Sequence, residues 1–127
     1  MSTQAEENKK MVIDFYTRLF NKKDLTAIDQ YIDPKYIQHN PQAADGSEGV
    51  RAAVGYLFPN FPQLQVDIKR AIAEGNLVVL HVHMRFKPED RGSAIMEIVR
   101  VENGRLVEHW DVSQEVPEKA VNPNGMF

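Results

Sequence analysis

Residues 93–113, SAIMEIVRVENGRLVEHWDVS, contain the pattern that decides the fold: two apolar segments joined by Asn103-Gly104. Asn-Gly between alternating hydrophobic residues is the strongest short sequence signal for a two-residue β-hairpin turn. Counting outward from that turn pairs Val101 with Leu106 and Ile98 with His109. The stretch therefore predicts two antiparallel strands, near Ser93–Glu102 and Arg105–Ser113.

The same count divides the hairpin between two sheet faces, because directly paired residues share a face. One predicted face consists of Met96, Ile98, Arg100, Val107, His109 and Asp111. The opposite face consists of Ile95, Glu97, Val99, Val101, Leu106, Glu108, Trp110 and Val112. Glu97 falls away from Asp111 in this register, although a β-bulge would move it to the other face. Both faces are largely apolar, so we expect helices to cover one and a second subunit to cover the other.

The first half of the chain has helical periodicity. Thr3 and Glu6 have capping-box spacing ahead of an apolar stripe that includes Tyr16. A second short helix is expected from Asp24 until Asp33-Pro34 stops it, and a third from Asp45 until Pro59. These segments predict three N-terminal helices.

The second half changes to a period of two. Leu64, Val66 and Ile68 alternate with polar residues, and Leu77–Phe86 follows a Gly-containing turn as a further strand. Pro117–Phe127 has the Pro, Asn and Gly content of an irregular tail. The sequence predicts an α+β fold, with the helices on one face of a curved antiparallel sheet and residues 1–127 in a single domain.

Composition excludes several classes of function. The 127 residues include no Cys, which excludes disulfide scaffolds, thiolate metal sites and thiol chemistry. A net charge of −3 without a basic cluster argues against nucleic acid as the main partner. The sequence holds no apolar run long enough to span a membrane, and its polar N-terminal segment predicts a cytoplasmic protein.

All four histidines lie in or beside predicted elements. His81 and His83 share one face of a strand, as do His109 and Asp111, and His39 follows the second helix. Three interpretations remain open: ordinary polar packing, a pocket for proton transfer or substrate binding, and a metal site built on the His81-Val82-His83 pair. A metal needs three or more convergent ligands, and the sequence offers only that pair. We therefore expect no metal and no cofactor.

Three stretches carry a family resemblance: Tyr36–Pro41 (YIQHNP), Glu102–Val112 (ENGRLVEHWDV) and Asn124–Phe127 (NGMF). They resemble the SnoaL-like polyketide cyclases, which share the nuclear transport factor 2 fold. The resemblance implies a cone of three helices packed in the concave face of a strongly curved antiparallel sheet, with a deep pocket and commonly a dimer formed through the sheet. It also implies that a late-strand aspartate, here Asp111, acts as general base. The fold hosts many activities, so the reaction must be argued from the site.

The leading functional hypothesis is proton abstraction next to a carbonyl, in an aldol cyclisation or an isomerisation of a small apolar or aromatic molecule. It assigns Asp111 as base and His39 and His83 as oxygen-stabilising groups. Predicted substrate-binding residues are His81, His109, Tyr16, Phe58, Met96 and Ile98. The alternatives are a non-catalytic ligand-binding module, favoured if Asp111 is tied to Arg100, and a cupin-like metal enzyme.

The last expectation is a homodimer joined through the outer sheet face. In the counted register that face carries Ile95, Val99, Val101, Leu106, Trp110 and Val112. Left bare, these side chains would form a larger apolar patch than monomers usually expose. Two-fold pairing with a second copy would bury it.

Overall fold

A computed structural model describes residues 2–127, which form three α-helices, one π-helical turn and five β-strands. The helices are α1 (Gln4–Tyr16), α2 (Thr26–Tyr31) and α3 (Gly46–Asn60), with the π-helical turn Thr17–Asn21 continuing α1. The strands are β1 (Ile32–Gln38), β2 (Gln65–Glu74), β3 (Leu77–Arg85), β4 (Ser93–Glu102) and β5 (Arg105–Glu115). The α+β class and the curved sheet are confirmed.

The helix starts follow the sequence signals with one exception. The Thr3 hydroxyl accepts the backbone N–H of Glu6 at 3.1 Å, which satisfies a free donor of the first turn of α1. Asp45 precedes α3 as predicted, but its carboxylate does not cap that helix. It accepts the backbone N–H of Gln38 instead, at 2.8 Å, and so ties the start of α3 to the end of β1.

The sheet has the order β1-β5-β4-β3-β2. Strands β2 to β5 form the predicted antiparallel meander. β1 was not predicted, and it pairs with β5 in parallel, so the sheet is mixed rather than wholly antiparallel. Pro34 lies inside β1, where an edge strand tolerates a residue without a backbone N–H.

A β-bulge at Val107 changes the predicted register of the β4–β5 hairpin. Val101 pairs with Leu106 as expected, but Arg100 pairs with Glu108, which leaves Val107 as the extra residue. Beyond the bulge the predicted pairs are therefore wrong by one residue. Glu97 pairs with Asp111, and Val99 pairs with His109.

The bulge turns over the part of β5 beyond it, so His109 and Asp111 share a face with Glu97 and Val99 of β4 instead of with Met96 and Ile98. The buried, helix-facing residues of β4 are Ile95, Glu97, Val99 and Val101, whereas Met96 and Ile98 face outward. The predicted placement of Met96 and Ile98 beside Asp111 is therefore wrong. Ile95, Val99, Val101 and Leu106 belong to the core instead of the outer face.

The core lies between the helices and the inner sheet face. Val12, Phe15 and Leu19 from the first helical segment pack with Val78, Leu80 and Val82 of β3, all 3% exposed or less. Within residues 2–127, no helix has the length and apolar character to cross a membrane.

Candidate functional site

A cavity of about 310 Å³ lies between the helices and the inner face of the sheet. Its wall is mainly apolar and includes Phe15, Leu19, Val54, Leu57, Phe86 and Ile95. Polar side chains enter it from the neighbouring strands β1, β5 and β4, among them Gln38, Glu97, His109 and Asp111. An apolar cavity with a few converging polar groups is the usual form of a small-molecule site.

The polar groups centre on Glu97, His109 and Asp111. His109 and Asp111 are two residues apart on β5 and share a face, and Glu97 pairs with Asp111 across the β4–β5 ladder. His109 Nε2 lies 2.7 Å from Glu97 Oε1 and 3.9 Å from Asp111 Oδ2. One ring nitrogen therefore faces two carboxylates.

The end of β1 and the residues after it hold this group from the other side. Gln38 is the Cα partner of His109, and its Oε1 lies 2.6 Å from His109 Nδ1. Asn40 Nδ2 donates to Asp111 Oδ2 at 3.1 Å. The ring of Tyr36 stacks on the imidazole, with centroids 6.1 Å apart. The parallel strand that sequence reasoning missed therefore supplies the supporting contacts of the site.

The environment shifts the pKa values of these groups. Burial acts to lower the pKa of His109, but its hydrogen bond to Glu97 and the charges of Glu97 and Asp111 outweigh burial and raise it. Burial raises the pKa of Glu97, and the nearby Asp111 adds to the effect. Burial, followed by the charge of Glu97, raises the pKa of Tyr16 and of Tyr36, so both phenols remain protonated donors.

The arrangement can hold and move a proton inside an apolar cavity. Asp111 is less buried than Glu97, with 16% against 10% of its side chain exposed, and it lies at the cavity wall. The Glu97, His109 and Asp111 ligand atoms also all lie within 4.8 Å of one another, so these three residues form a group that could hold a divalent cation. The metal alternative left open by the sequence rested on His81 and His83, which are not part of this group.

Of the predicted site residues, Asp111, His109 and Tyr16 meet at the cavity. Sequence reasoning left the place of Glu97 open and did not assign Gln38, Asn40 and Tyr36 to the site. The signal for Glu97 was its place in a strand of a strongly curved sheet, where bulges are common. The signal for the other three was the stretch Tyr36–Pro41, which carries the family resemblance and contains all of them. Their place at the site follows from the parallel pairing of β1 with β5, which lies far along the chain.

The remaining histidines do not reach the cavity, so the predicted convergence of all four is wrong. His39 lies on the outer side of the sheet. Its Nε2 is 2.7 Å from Glu108 Oε2, and its ring stacks on that of Trp110 with the centroids 4.9 Å apart. His81 and His83 pair with Met96 and Ala94 and share the outward orientation of Met96. Strand β3 keeps Val78, Leu80 and Val82 inside, which leaves the alternate positions on the outer face.

The outer-face histidines and Phe58 have other contacts. Phe127 from the C-terminal segment stacks on His81 and His83, with ring centroids 5.5 and 4.2 Å away. Phe58 packs edge-on against Phe20 at 6.2 Å and lines a separate surface pocket on the α3 side. Its predicted place in the substrate cavity is therefore wrong.

The position of Arg100 bears on whether Asp111 is a catalytic base or the protein only binds a ligand. It lies on the outer face, where its guanidinium pairs with Glu108 at 2.9 Å and Glu102 at 2.5 Å. Asp111 enters the cavity from the inner face. The carboxylate is thus not neutralised by Arg100.

The fold is similar to several solved structures, each below 25% sequence identity. TsrD from Streptomyces laurentii has 20% identity and a TM-score of 0.70, covering 89% of this chain and 91% of TsrD. IdmH from Streptomyces antibioticus, a proposed polyketide cyclase, has 23% identity and a TM-score of 0.72, covering 84% and 91%. A proposed isomerase of the SnoaL-like family from Agrobacterium tumefaciens has 14% identity and a TM-score of 0.69, covering 89% and 99%.

Sequence comparison identifies the family. None of the curated proteins matches the chain. The model of the SnoaL-like domain matches residues 12–109, which run from α1 through Glu97 to His109. Because this match extends over more than half of the chain, the protein belongs to the SnoaL-like domain family.

Proposed function

We propose that the protein catalyses proton transfer next to a carbonyl group of a small apolar or aromatic molecule. The observation that carries this proposal is the group Glu97, His109 and Asp111 at the wall of an otherwise apolar cavity. Removal from water strengthens the hydrogen bonds that stabilise a developing oxyanion. The outcome would be an aldol cyclisation or an isomerisation.

Asp111 is the proposed base. Glu97 is engaged by His109 at 2.7 Å, whereas Asp111 receives a neutral amide donor from Asn40 and lies farther from the imidazole. Its carboxylate would take the proton from the carbon beside the carbonyl, and the C–H electron pair would pass into an enolate. The protonated phenols of Tyr16 and Tyr36 line the same cavity and would donate to the enolate oxygen.

Either outcome balances without an oxidant or reductant. In an isomerisation the protonated Asp111 returns the same proton to a different carbon of the conjugated enolate. In an aldol cyclisation the enolate carbon attacks a second carbonyl of the same molecule, a C–C bond forms, and the new alkoxide takes the proton. The neighbouring solved structures described as a cyclase and an isomerase support this class of reaction but not a particular substrate.

The second candidate is a binding module that holds the same type of ligand without converting it. The apolar wall of the cavity favours it. The position of Asp111 inside the cavity, away from Arg100, favours catalysis instead.

The test is turnover of a panel of β,γ-enones and cyclisable polyketide mimics. A positioned base contributes about 10²- to 10⁴-fold, so Asp111→Asn should lose at least about 100-fold in kcat/KM. Asp67→Asn, which changes an exposed carboxylate on β2, is the matched control and should keep wild-type turnover. Full activity of Asp111→Asn would reject the assigned base, and ligand binding without turnover by the wild type would favour the binding module.

We also propose a homodimer formed through the corrected outer face. Met96 and Val112 are 44% and 75% exposed there, and they adjoin Ile98 and Trp110. A second copy of this face would bury those side chains.

A further inference from the structure

The side chain of Gln38 makes two contacts through one atom. Its Oε1 accepts the backbone N–H of Asn40 at 3.0 Å and lies 2.6 Å from Nδ1 of His109. A backbone N–H can only donate, so the Gln38 atom beside it must be the oxygen and not the amide nitrogen. An oxygen without a hydrogen can only accept, which requires a hydrogen on His109 Nδ1.

We propose that Gln38 is a positioning residue that fixes the tautomer of His109, with the hydrogen on Nδ1. Nε2 is then the one ring position that gains or loses a proton, and it faces Glu97 at 2.7 Å and Asp111 at 3.9 Å. The contact therefore directs the exchangeable proton of the imidazole toward the two carboxylates. The effect of Gln38 on turnover rests on the proposed function, whereas the assignment of the His109 tautomer does not.

Asn40 is oriented by the same logic. Its Oδ1 accepts the backbone N–H of Gln42 at 2.8 Å, which leaves Nδ2 to donate to Asp111 Oδ2 at 3.1 Å. Gln38 and Asn40 are two residues apart and reach the cavity together. His39 between them is held outside by Glu108 and Trp110. Backbone N–H groups thus fix the orientation of both side-chain amides. The amides in turn orient His109 and Asp111.

Three titratable groups act on the imidazole or contact it: Glu97 from β4, Asp111 from β5 and Tyr36 from β1. A fourth, Tyr16 from α1, lines the same cavity. The phenols stay neutral, so the carboxylates are the charges that act on Nε2. Gln38 contributes no charge. Its effect is to determine which ring nitrogen of His109 carries the hydrogen.

The direct test is ¹⁵N NMR of the His109 ring from about pH 5 upward until the ring is neutral, which requires a higher pH than for an ordinary histidine because the folded protein raises the pKa of His109. The His109 signals are assigned by their loss in His109→Gln. In the wild type, Nδ1 should stay protonated throughout and only Nε2 should titrate. In Gln38→Met, which has similar shape but no acceptor, the neutral ring should move its hydrogen to Nε2. Gln38→Glu restores an acceptor and should restore the Nδ1–H form.

Gln65→Met, at an exposed position of β2, is the matched control and should keep the wild-type spectrum. A wild-type neutral ring with its hydrogen on Nε2, or an unchanged tautomer in Gln38→Met, would overturn the inference. With a substrate that the wild type converts, Gln38→Met should lose turnover about tenfold or more and Gln38→Glu should recover part of it. Unchanged turnover in Gln38→Met would reject the positioning role. The tautomer result stands independently of the Asp111→Asn test, so the two proposals fail separately.

Discussion

The carboxylate of Glu97 lies 2.7 Å from the imidazole Nε2 of His109, with 10% and 9% of the two side chains exposed. Burying either group alone would be costly, and the mutual hydrogen bond offsets part of that cost. With Asp111 3.9 Å from the same nitrogen, two carboxylates compete for one ring position. The folded structure therefore changes how readily His109 and Glu97 bind protons, compared with the unfolded chain.

Stability should therefore fall as pH rises above neutral. The folded state raises the pKa values of both His109 and Glu97, so it binds protons more tightly than the unfolded state. That stability is fully present below the unfolded pKa values and is lost as pH rises through the folded ones. Urea unfolding across this range should show a decline in the wild type that is smaller in Glu97→Gln. Glu115→Gln, at an exposed position of β5, should retain the wild-type profile. A wild-type profile as flat as that of Glu97→Gln would contradict the coupling.

Local sequence signals predicted those parts of the fold that depend on neighbouring residues. The Asn103-Gly104 turn, the Thr3 cap and the alternating strands each depend on neighbouring residues. Strand β1 was not predicted, because Asp33-Pro34 is a helix-stop signal and because its parallel partner, β5, lies far along the chain. The bulge at Val107 carries no distinctive residue, yet one extra residue reverses the face of every position beyond it.

Two glycines of α3 should respond in opposite directions to alanine. A Cβ at Gly49 would lie 1.9 Å from the carbonyl oxygen of Ala44, in the loop that brings Asn40 to the cavity, whereas nothing lies within 4 Å of a Cβ at Gly55. Gly49→Ala should destabilise the protein by about 1–3 kcal/mol through overpacking. Gly55→Ala should stabilise it by about 0.5–1 kcal/mol through helix propensity. Chemical denaturation measures both, and equal effects of the two changes would contradict the close approach at Gly49.

The proposed dimer should separate when a charge enters the outer face. Val112→Asp places a carboxylate at a position that is 75% exposed in the monomer, so the cavity should be unaffected. Light scattering at micromolar concentration should give twice 14.5 kDa for the wild type and 14.5 kDa for Val112→Asp. Tyr56→Asp, at an exposed position of α3, should remain dimeric. A monomeric wild type would reject this assembly.

The sequence placed Asp111 and His109 in the site but assigned them the wrong companions. His81 and His83 share one face as predicted, yet it is the outer face, because the period of two does not say which face the helices cover. Two residues that complete the site were assigned elsewhere or not at all. Glu97 faces the site because of the bulge in β5, and Gln38 reaches it because β1 pairs with β5. Both depend on the curvature and order of the whole sheet.

The most direct test of the central claim is hydrogen–deuterium exchange at the carbon beside the carbonyl of a bound ketone, followed by NMR in D₂O. It detects proton abstraction even when no product forms. The account predicts exchange catalysed by the wild type and slowed at least about 100-fold in Asp111→Asn, with Asp67→Asn unchanged. Binding of the ketone without exchange in the wild type, or undiminished exchange in Asp111→Asn, would contradict the assignment of Asp111 as the base.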